Sequence, residues 1–351
     1  MFLGIEIGGT KIQLGLGAGD GSPLVALARF EVDSTAGANG ILKQIETGAA
    51  RLLAERSIQA AGCGFGGPFD AAGGRAVKSH QIEGWDGFPL ADWLQQRLHA
   101  PVRVANDCDL AGLAEARFGA GSDSRVVFYV TVGTGIGGGL ILDGQIYRGG
   151  GVSAAEIGHM RPGLHADRPE ATVESIASGW GVAAAAQARL SGSVSHSLSI
   201  LMPAMRKLKP EAVRQRLIEV EEQEEEHAAD LLSRCQGHLD RLTARHVAQA
   251  AEQGNGIAQD VLMHAVRTLG WAIAQMITLV SPQVVVVGGG LSLMSPHLFL
   301  VPLREETQRY VFPPLADSYR IVPAQMGEEV VVQGALALAR LAKQNMPSGL
   351  G

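Results

Sequence analysis

Asn106-Asp107 stands where a short apolar run, Val102 to Ala105, gives way to the helical pattern Asp109 to Phe118. A carboxylate at such a junction lies at the C-terminal edge of a sheet, where the clefts of open α/β folds form. There Asp107 can accept the proton of an attacking hydroxyl during phosphoryl transfer. The plainer alternative for an acid or amide at this junction is a helix N-cap. Glu156 and His159 stand three apart in AAEIGH, a spacing that puts both on one side of a helical turn. Acids and amides such as Glu156, Glu174 and Asn106 suit a polyhydroxylated ligand, although a surface i,i+3 pair also accounts for Glu156 and His159.

Three glycine-rich loops offer backbone N–H groups with no Cβ in the way, which is what an anionic phosphate needs. They are Gly8 to Lys11, Gly133 to Gly139 and Gly288 to Gly290; Thr10, Lys11 and Thr134 add a hydroxyl, a cation and a second hydroxyl. Each loop alone is equally compatible with a turn that only closes a hairpin. Gly133, Gly135 and Gly138 fit the spacing G-x-G-x-x-G, but the dinucleotide fingerprint requires a helix to follow, and GGLILDGQI reads as strand and turn. No glycine-rich stretch ends in Gly-Lys-Ser/Thr, so a Walker A loop is absent too. These read as hairpin phosphate loops.

The elements around them repeat. Phe2 to Ile7 is an apolar strand, Gly8-Gly9-Thr10 a turn, and Lys11 to Leu16 an alternating strand; Asp20-Gly21 turns the chain again before Leu24 to Val32. The same order of strand, Gly/Thr turn, strand, Asp-Gly turn, strand recurs from Val126, whose run to Val132 is apolar on both faces and therefore central. This degenerate duplication predicts two similar lobes with turns facing each other across a cleft. Cys63 to Phe65 predicts a strand ending in Gly66-Gly67-Pro68, Val261 to Val280 a long apolar helix, and Gln283 to Val287 a buried strand. Ser295-Pro296 reads as a helix N-cap followed by proline at the first helical position. Between about 193 and 240 the composition shifts, and EVEEQEEEHAAD reads as a solvated helical excursion or an acidic docking surface.

The 351 residues suffice for two cores, and the 46% hydrophobic and 18% charged shares are those of a soluble globular enzyme. A net charge of −6 gives no reason to expect nucleic acid or an anionic membrane as partner. The three cysteines, Cys63, Cys108 and Cys235, are too few and too far apart for a disulfide framework, which suits a reducing compartment. MFLGIEIGGTK enters a strand at once without a signal-like basic and apolar stretch, and no apolar run is long enough to span a bilayer. A cytoplasmic protein is expected.

Read in order, the segments IEIGGTK, GFGGPFD with Gln81 to Trp85, VANDCD, VTVGTGIGGG and SPQVVVVGGGLS resemble the ROK family, which comprises bacterial repressors, open-reading-frame proteins and sugar kinases. The resemblance covers nearly the whole chain. It implies an α/β fold, the actin-like ATPase (ribonuclease H-like) duplicated two-lobe fold, with a small lobe at 1–118, a C-terminal helix at 328–345 packing back on it, and a large lobe at 119–327. It implies a kinase that moves a phosphoryl group from ATP, with Mg2+, to a hexose, with C6 as the expected acceptor. Asp107 is then the base. Gly67, Asn106, Glu156, His159 and Glu174 are the implied sugar ligands, and Gly8, Gly9, Thr10, Lys11, Thr134, Gly135, Gly288 and Gly289 the implied nucleotide ligands. A homodimer is expected from family habit.

Two departures stand out. The family carries a zinc knuckle built from the His of Glu-x-Gly-His and three cysteines; here Glu156-Ile157-Gly158-His159 is present, but RPGLHADRPEATVESIASG has no cysteine. No structural zinc is expected, His165 alone does not restore a site, and some other contact must hold that loop. The second departure is the helical insertion. Family regulators have a DNA-binding helix-turn-helix ahead of the first phosphate motif, for which this sequence has no room. The rival expectations are a catalytically silent sugar sensor, a dinucleotide-dependent oxidoreductase, and an ATPase of the chaperone or cytoskeletal branch.

Overall fold

A computed structural model of the protein describes residues 1–70, 73–77, 82–150, 153–163, 168–192 and 210–344, with 210–221 as backbone. Gln81, His165 and the first part of the insertion, 193–209, lie outside the described residues.

The first half comprises β1 (Phe2–Ile7), β2 (Lys11–Gly17), β3 (Ala26–Glu31), α1 (Gly37–Leu53), β4 (Ala61–Phe65), β5 (Phe69–Asp70), β6 (Arg75–Ala76), α2 (Leu90–Leu98), β7 (Val102–Asn106) and α3 (Asp107–Phe118). The second comprises β8 (Val126–Val132), β9 (Ile136–Leu142), β10 (Gln145–Ile146), α4 (Val173–Ala177), α5 (Gly179–Ser191), α6 (Pro210–Arg234), α7 (Ala244–Glu252), α8 (Gly256–Val280), β11 (Val284–Gly288), α9 (Leu300–Tyr310), β12 (Arg320–Pro323) and α10 (Val330–Gln344).

Two five-stranded sheets share one plan. The first runs β3-β2-β1-β4-β7 and the second β10-β9-β8-β11-β12. In each, an antiparallel meander is followed by two parallel strands: Ile5 lies opposite Leu14 and Cys63 in the first sheet, as Val130 lies opposite Gly138 and Val287 in the second. The duplication read from the two Gly/Thr turns is therefore present strand for strand, and the topology is that of the actin-like ATPase fold. β8 occupies the centre of its sheet, as its two-faced apolar run requires.

β1 is buried along its whole length but its two faces differ. Leu3, Ile5 and Ile7 join the core shared with α1 and α2. The opposite face is kept thin: Gly4 pairs with Gly62 and Glu6 with Gly64. A Cβ at Gly62 would collide with the Ala335 carbonyl, and one at Gly4 would stand 2.5 Å from the Val332 carbonyl oxygen. Small residues on that face let α10 lie directly on the sheet.

The helices that end the two halves cross over. α10 follows the second sheet but packs on β1 and β4 of the first, whereas α3 follows β7 but packs mainly on β8 and β9. The two helices meet where Gly334 passes the Leu110 carbonyl too closely for any side chain. Glu115, fully buried on α3, secures the crossing. Its Oε1 accepts the backbone N–H groups of Gln325 and Met326 at 2.8 Å each, and its Oε2 accepts that of Ala120 at 2.8 Å.

Two local expectations are corrected. Ser295-Pro296 opens a turn in which Leu298 N–H donates to the Ser295 carbonyl and Val301 N–H to the Pro296 carbonyl; the helix itself starts at Leu300. Phe299 is the buried residue that leads into α9, so packing places the helix start later than the local capping chemistry suggests. Glu156 and His159 lie not on a regular α-helical turn but on a three-residue 3-10 turn, Ile157–His159, with Glu156 as its N-cap and His159 as its last residue. Ala155 enters it at φ 62° and Met160 leaves it extended, which stops it after a single turn. The end of the insertion is a helix as expected, and Leu231 and Cys235 anchor it in the second core.

Candidate active site

α3 starts where it does because Asn106 caps it: Asn106 Oδ1 accepts the backbone N–H of Cys108 at 2.8 Å. The capping alternative thus holds for Asn106, and Asp107 is the first helical residue, where a carboxylate faces the positive end of the helix. Asn106 has a second bond. Its Nδ2 donates to the Gly67 carbonyl at 3.2 Å, fixing the turn that follows β4. Gly66 N–H in that turn donates to the Ile7 carbonyl at 2.8 Å, at the point where β1 enters the first glycine turn.

These bonds gather one corner. A Cβ at Gly66 would stand 3.3 Å from Asp107 Oδ2 and 3.5 Å from the Gly8 Cα. Asp107, the Gly66-Gly67 turn and the Gly8 turn are neighbours although the sequence separates them by about a hundred positions. In the Gly8 turn, Gly8 N–H donates to the Lys11 carbonyl at 3.0 Å, which leaves Gly9 and an exposed Thr10 at the tip. Lys11 Nζ lies 3.5 Å from Glu6 Oε1 and donates to the Glu328 carbonyl at 3.3 Å.

The acids of this corner raise one another. Burial pushes the Asp107 carboxyl above the usual carboxylate range; the Cys108 thiol and backbone N–H pull it down, and the charge of Glu156 adds to the rise. Burial likewise raises Glu6, opposed by Lys11 and by the Gln13 amide, which donates to Glu6 Oε2 at 2.7 Å; the charge of Asp107 adds to the rise. Asp109 is pushed up to about 7, chiefly by burial; Arg148 opposes this, and the charges of Glu156 and Asp107 reinforce it. Two carboxyls above their normal range at the start of one helix mark a functional-site candidate.

The second glycine turn is held from within its own half of the chain. Gly133 N–H donates to the Gly135 carbonyl at 3.0 Å, leaving Thr134 exposed at the tip. Glu174, expected as a sugar ligand, lies against this turn: its Oε2 accepts the Ile136 N–H at 2.8 Å and occupies the space beside Gly135. Gly288 pairs with Thr131, and Gly289, at φ 89°, lies so close to Val132 that a Cβ would stand 2.5 Å from its carbonyl oxygen. Only glycine fits there. The third loop therefore borders the second.

Glu156 accepts the hydroxyl of Ser153 and acts on Asp107 and Asp109 electrostatically. His159 is exposed, and its ring makes no hydrogen bond among the described residues. The loop beyond it is closed by Arg161, whose Nη1 donates to the His159 carbonyl at 2.8 Å and Nε to the Pro169 carbonyl at 3.0 Å. Val173 N–H donates to the Met160 carbonyl at 2.8 Å and joins the same loop to α4. Among the described residues no group of three or more His, Cys, Asp and Glu side chains can hold a metal ion. None of the helices of those residues is long and apolar enough to cross a membrane.

Asp109 and Arg161 were not singled out in the sequence. Asp109 is two residues beyond Asp107, a spacing that does not share a helix face, and burial and neighbouring charges rather than spacing make it unusual. Arg161 is visible in the sequence only as one of two arginines, with Arg168, in a loop that lacks cysteines.

The ROK family model matches residues 2–342. A glucokinase of Halalkalibacterium halodurans is 27% identical over 99% of this chain and 97% of its own length, and one of Streptomyces coelicolor is 29% identical over 96% and 97%. Among solved structures, a ROK family glucokinase of Streptomyces griseus in complex with glucose and AMPPNP superposes with a TM-score of 0.75 at 29% identity, covering 97% of this chain and 99% of that one.

Proposed function

The chain belongs to the ROK family, and from that membership we infer that it is an ATP-dependent sugar kinase that phosphorylates a hexose. The similarity to glucokinases extends over nearly the whole length of both partners, so the activity belongs to the complete two-lobe unit rather than to a shared fragment. The silent-sensor alternative rested on the missing cysteines, and the loop they would serve is closed by Arg161 instead.

One observation carries the mechanism: Asp107 Oδ2 lies beside Gly66 and the Gly8 turn, with its pKa raised by burial. Asp107 acts as general base. It takes the proton of the attacking hydroxyl, the C6 hydroxyl of the hexose, as that oxygen bonds to the γ-phosphorus of ATP and the bond to the β,γ-bridging oxygen breaks, releasing ADP. Gly67, Asn106, Glu156, His159 and the free oxygen of Glu174 hold the sugar hydroxyls. The two hairpin turns hold the phosphates, through Gly8, Gly9 and Thr10 on one side and Thr134 and Gly135 on the other, with Gly288 and Gly289 alongside. Lys11, a point charge with three donors, has one left for a phosphate oxygen after Glu6 and Glu328. Positioning and charge stabilisation supply most of the acceleration.

Magnesium fits the same corner, because Glu6 and Asp107 are carboxylates close enough that the charge of Asp107 raises the Glu6 carboxyl. When bound with the nucleotide it neutralises phosphate charge. We assign the protein to the cytoplasm and expect a homodimer in solution. The test is an ADP-release assay with ATP over a panel of hexoses, with sugar-phosphate formation read instead where inorganic polyphosphate is the alternative donor. ADP release with at least one hexose supports the reading; none with any hexose overturns it.

A further inference from the structure

Trp180 is the second residue of α5, and its indole is nearly half exposed, at 47%. Single exposed apolar residues are ordinary; this one is set apart by where its backbone is tied. The first N–H groups of α5 are spent on the second glycine turn: Gly179 N–H donates to the Gly133 carbonyl at 2.8 Å and Trp180 N–H to the Thr134 carbonyl at 3.4 Å. Ser178 takes the next donor, with its Oγ accepting Gly181 N–H at 3.2 Å. The helix end is therefore not a vacant anion site. What it delivers to the turn is a large flat side chain.

The other border of the turn is the Gly288 loop, pressed onto Val132 through Gly289. Around these contacts the space is open: a Cβ built at Gly133 or at Gly290 meets no atom within 4 Å. An unfilled space thus adjoins Thr134, with glycine backbone on one side and, tied to the same turn by its backbone N–H, a residue whose indole is exposed. A phosphate chain gripped by the turn has no use for an aromatic wall. A purine joined to that chain does, because every base has a π-face that stacks on an aromatic side chain.

We propose that the Trp180 indole is the stacking wall for the base of the phosphoryl donor, and that the donor is consequently a purine nucleoside triphosphate rather than inorganic polyphosphate. This rests on the kinase reading of the same turns. Stacking of this kind is worth about one order of magnitude in affinity.

The experiment uses the full chain with ATP and ADP as probes. Trp180→Ala should raise the KM for ATP about tenfold and leave the KM for the sugar within about twofold. Trp180→Phe, which keeps a ring, should recover most of the loss. Tryptophan emission of the wild type should fall on ADP addition, and the fall should be largely absent in Trp180→Phe. An active wild type whose KM for ATP is unchanged by Trp180→Ala overturns the stacking assignment and leaves the kinase reading standing. Emission quenched by ADP through Trp180 in a chain that phosphorylates no hexose does the reverse. Turnover with polyphosphate matching that with ATP counts against the donor assignment.

Discussion

Asp107 and Cys108 are consecutive at the start of α3 yet face different sheets. The Asp107 carboxylate reaches Gly66 beyond β4 of the first sheet, while Cys108 is buried against Gly137 and Gly139 on β9 of the second. A one-residue step along a helix thus sets the distance between the proposed base and the second glycine turn. Cys108 is a spacer, and burial with the charge of Asp107 holds its thiol protonated.

If Asp107 is the base, Asp107→Asn keeps the shape and loses the acceptor. Turnover should fall by roughly 100-fold or more, with sugar affinity by calorimetry largely kept. In the wild type the ionised carboxylate is the active form and its pKa is raised, so turnover should decline on the acid side at a pH above the normal Asp range. Unchanged turnover in Asp107→Asn removes it as base.

Asp109 adds a stability effect of definite sign. Its folded-state pKa of about 7 lies above the unfolded value. Between those values the folded chain holds a proton that the unfolded chain has lost, so folding is progressively disfavoured as pH rises through the window. Asp109→Asn should therefore raise the melting temperature at pH 8, by on the order of 2 °C, and give little gain near pH 4. Equal gains at both pH values would exclude the titration as the cause.

Glu115 is the most exacting structural position. Removing its carboxylate leaves the part-buried N–H groups of Ala120, Gln325 and Met326 without their acceptor. Glu115→Ala should cost about 3 kcal/mol or more, read as a lower denaturation midpoint. Glu115→Gln should fall between, since an amide keeps one acceptor oxygen and places an NH2 against a donor.

Arg161 should act on function more than on stability, because it is exposed and, among the described residues, bonds to two loop carbonyls. Loss of these bonds in Arg161→Ala should raise the KM for the sugar about 3- to 10-fold and leave the melting temperature within about 1 °C. Arg161→Lys, which cannot reach both carbonyls with one planar group, should recover little.

Much of this is legible in the sequence. The paired Gly/Thr and Asp-Gly turns disclosed the duplication, because turn chemistry is local and each turn had apolar strands of matching length around it. Asp143-Gly144, both at positive φ, closes its hairpin as its residue types demand. What escaped was set by distance in the chain. Glu174 meets the Gly135 turn and Glu115 meets Gln325 through tertiary packing, and no periodicity reports on either. The start of α9 escaped for the same reason, since a buried Phe299 outweighs a good local cap.

The crossing of α3 and α10 has a temporal consequence. The thin face of the first sheet, with Gly4, Gly62 and Gly64, is covered by α10, which leaves the ribosome more than two hundred residues after β7. Until then the amino-terminal half carries this face of its sheet uncovered. The nascent chain must wait, shielded by other means, and the usual order in which early domains finish first is closed to it.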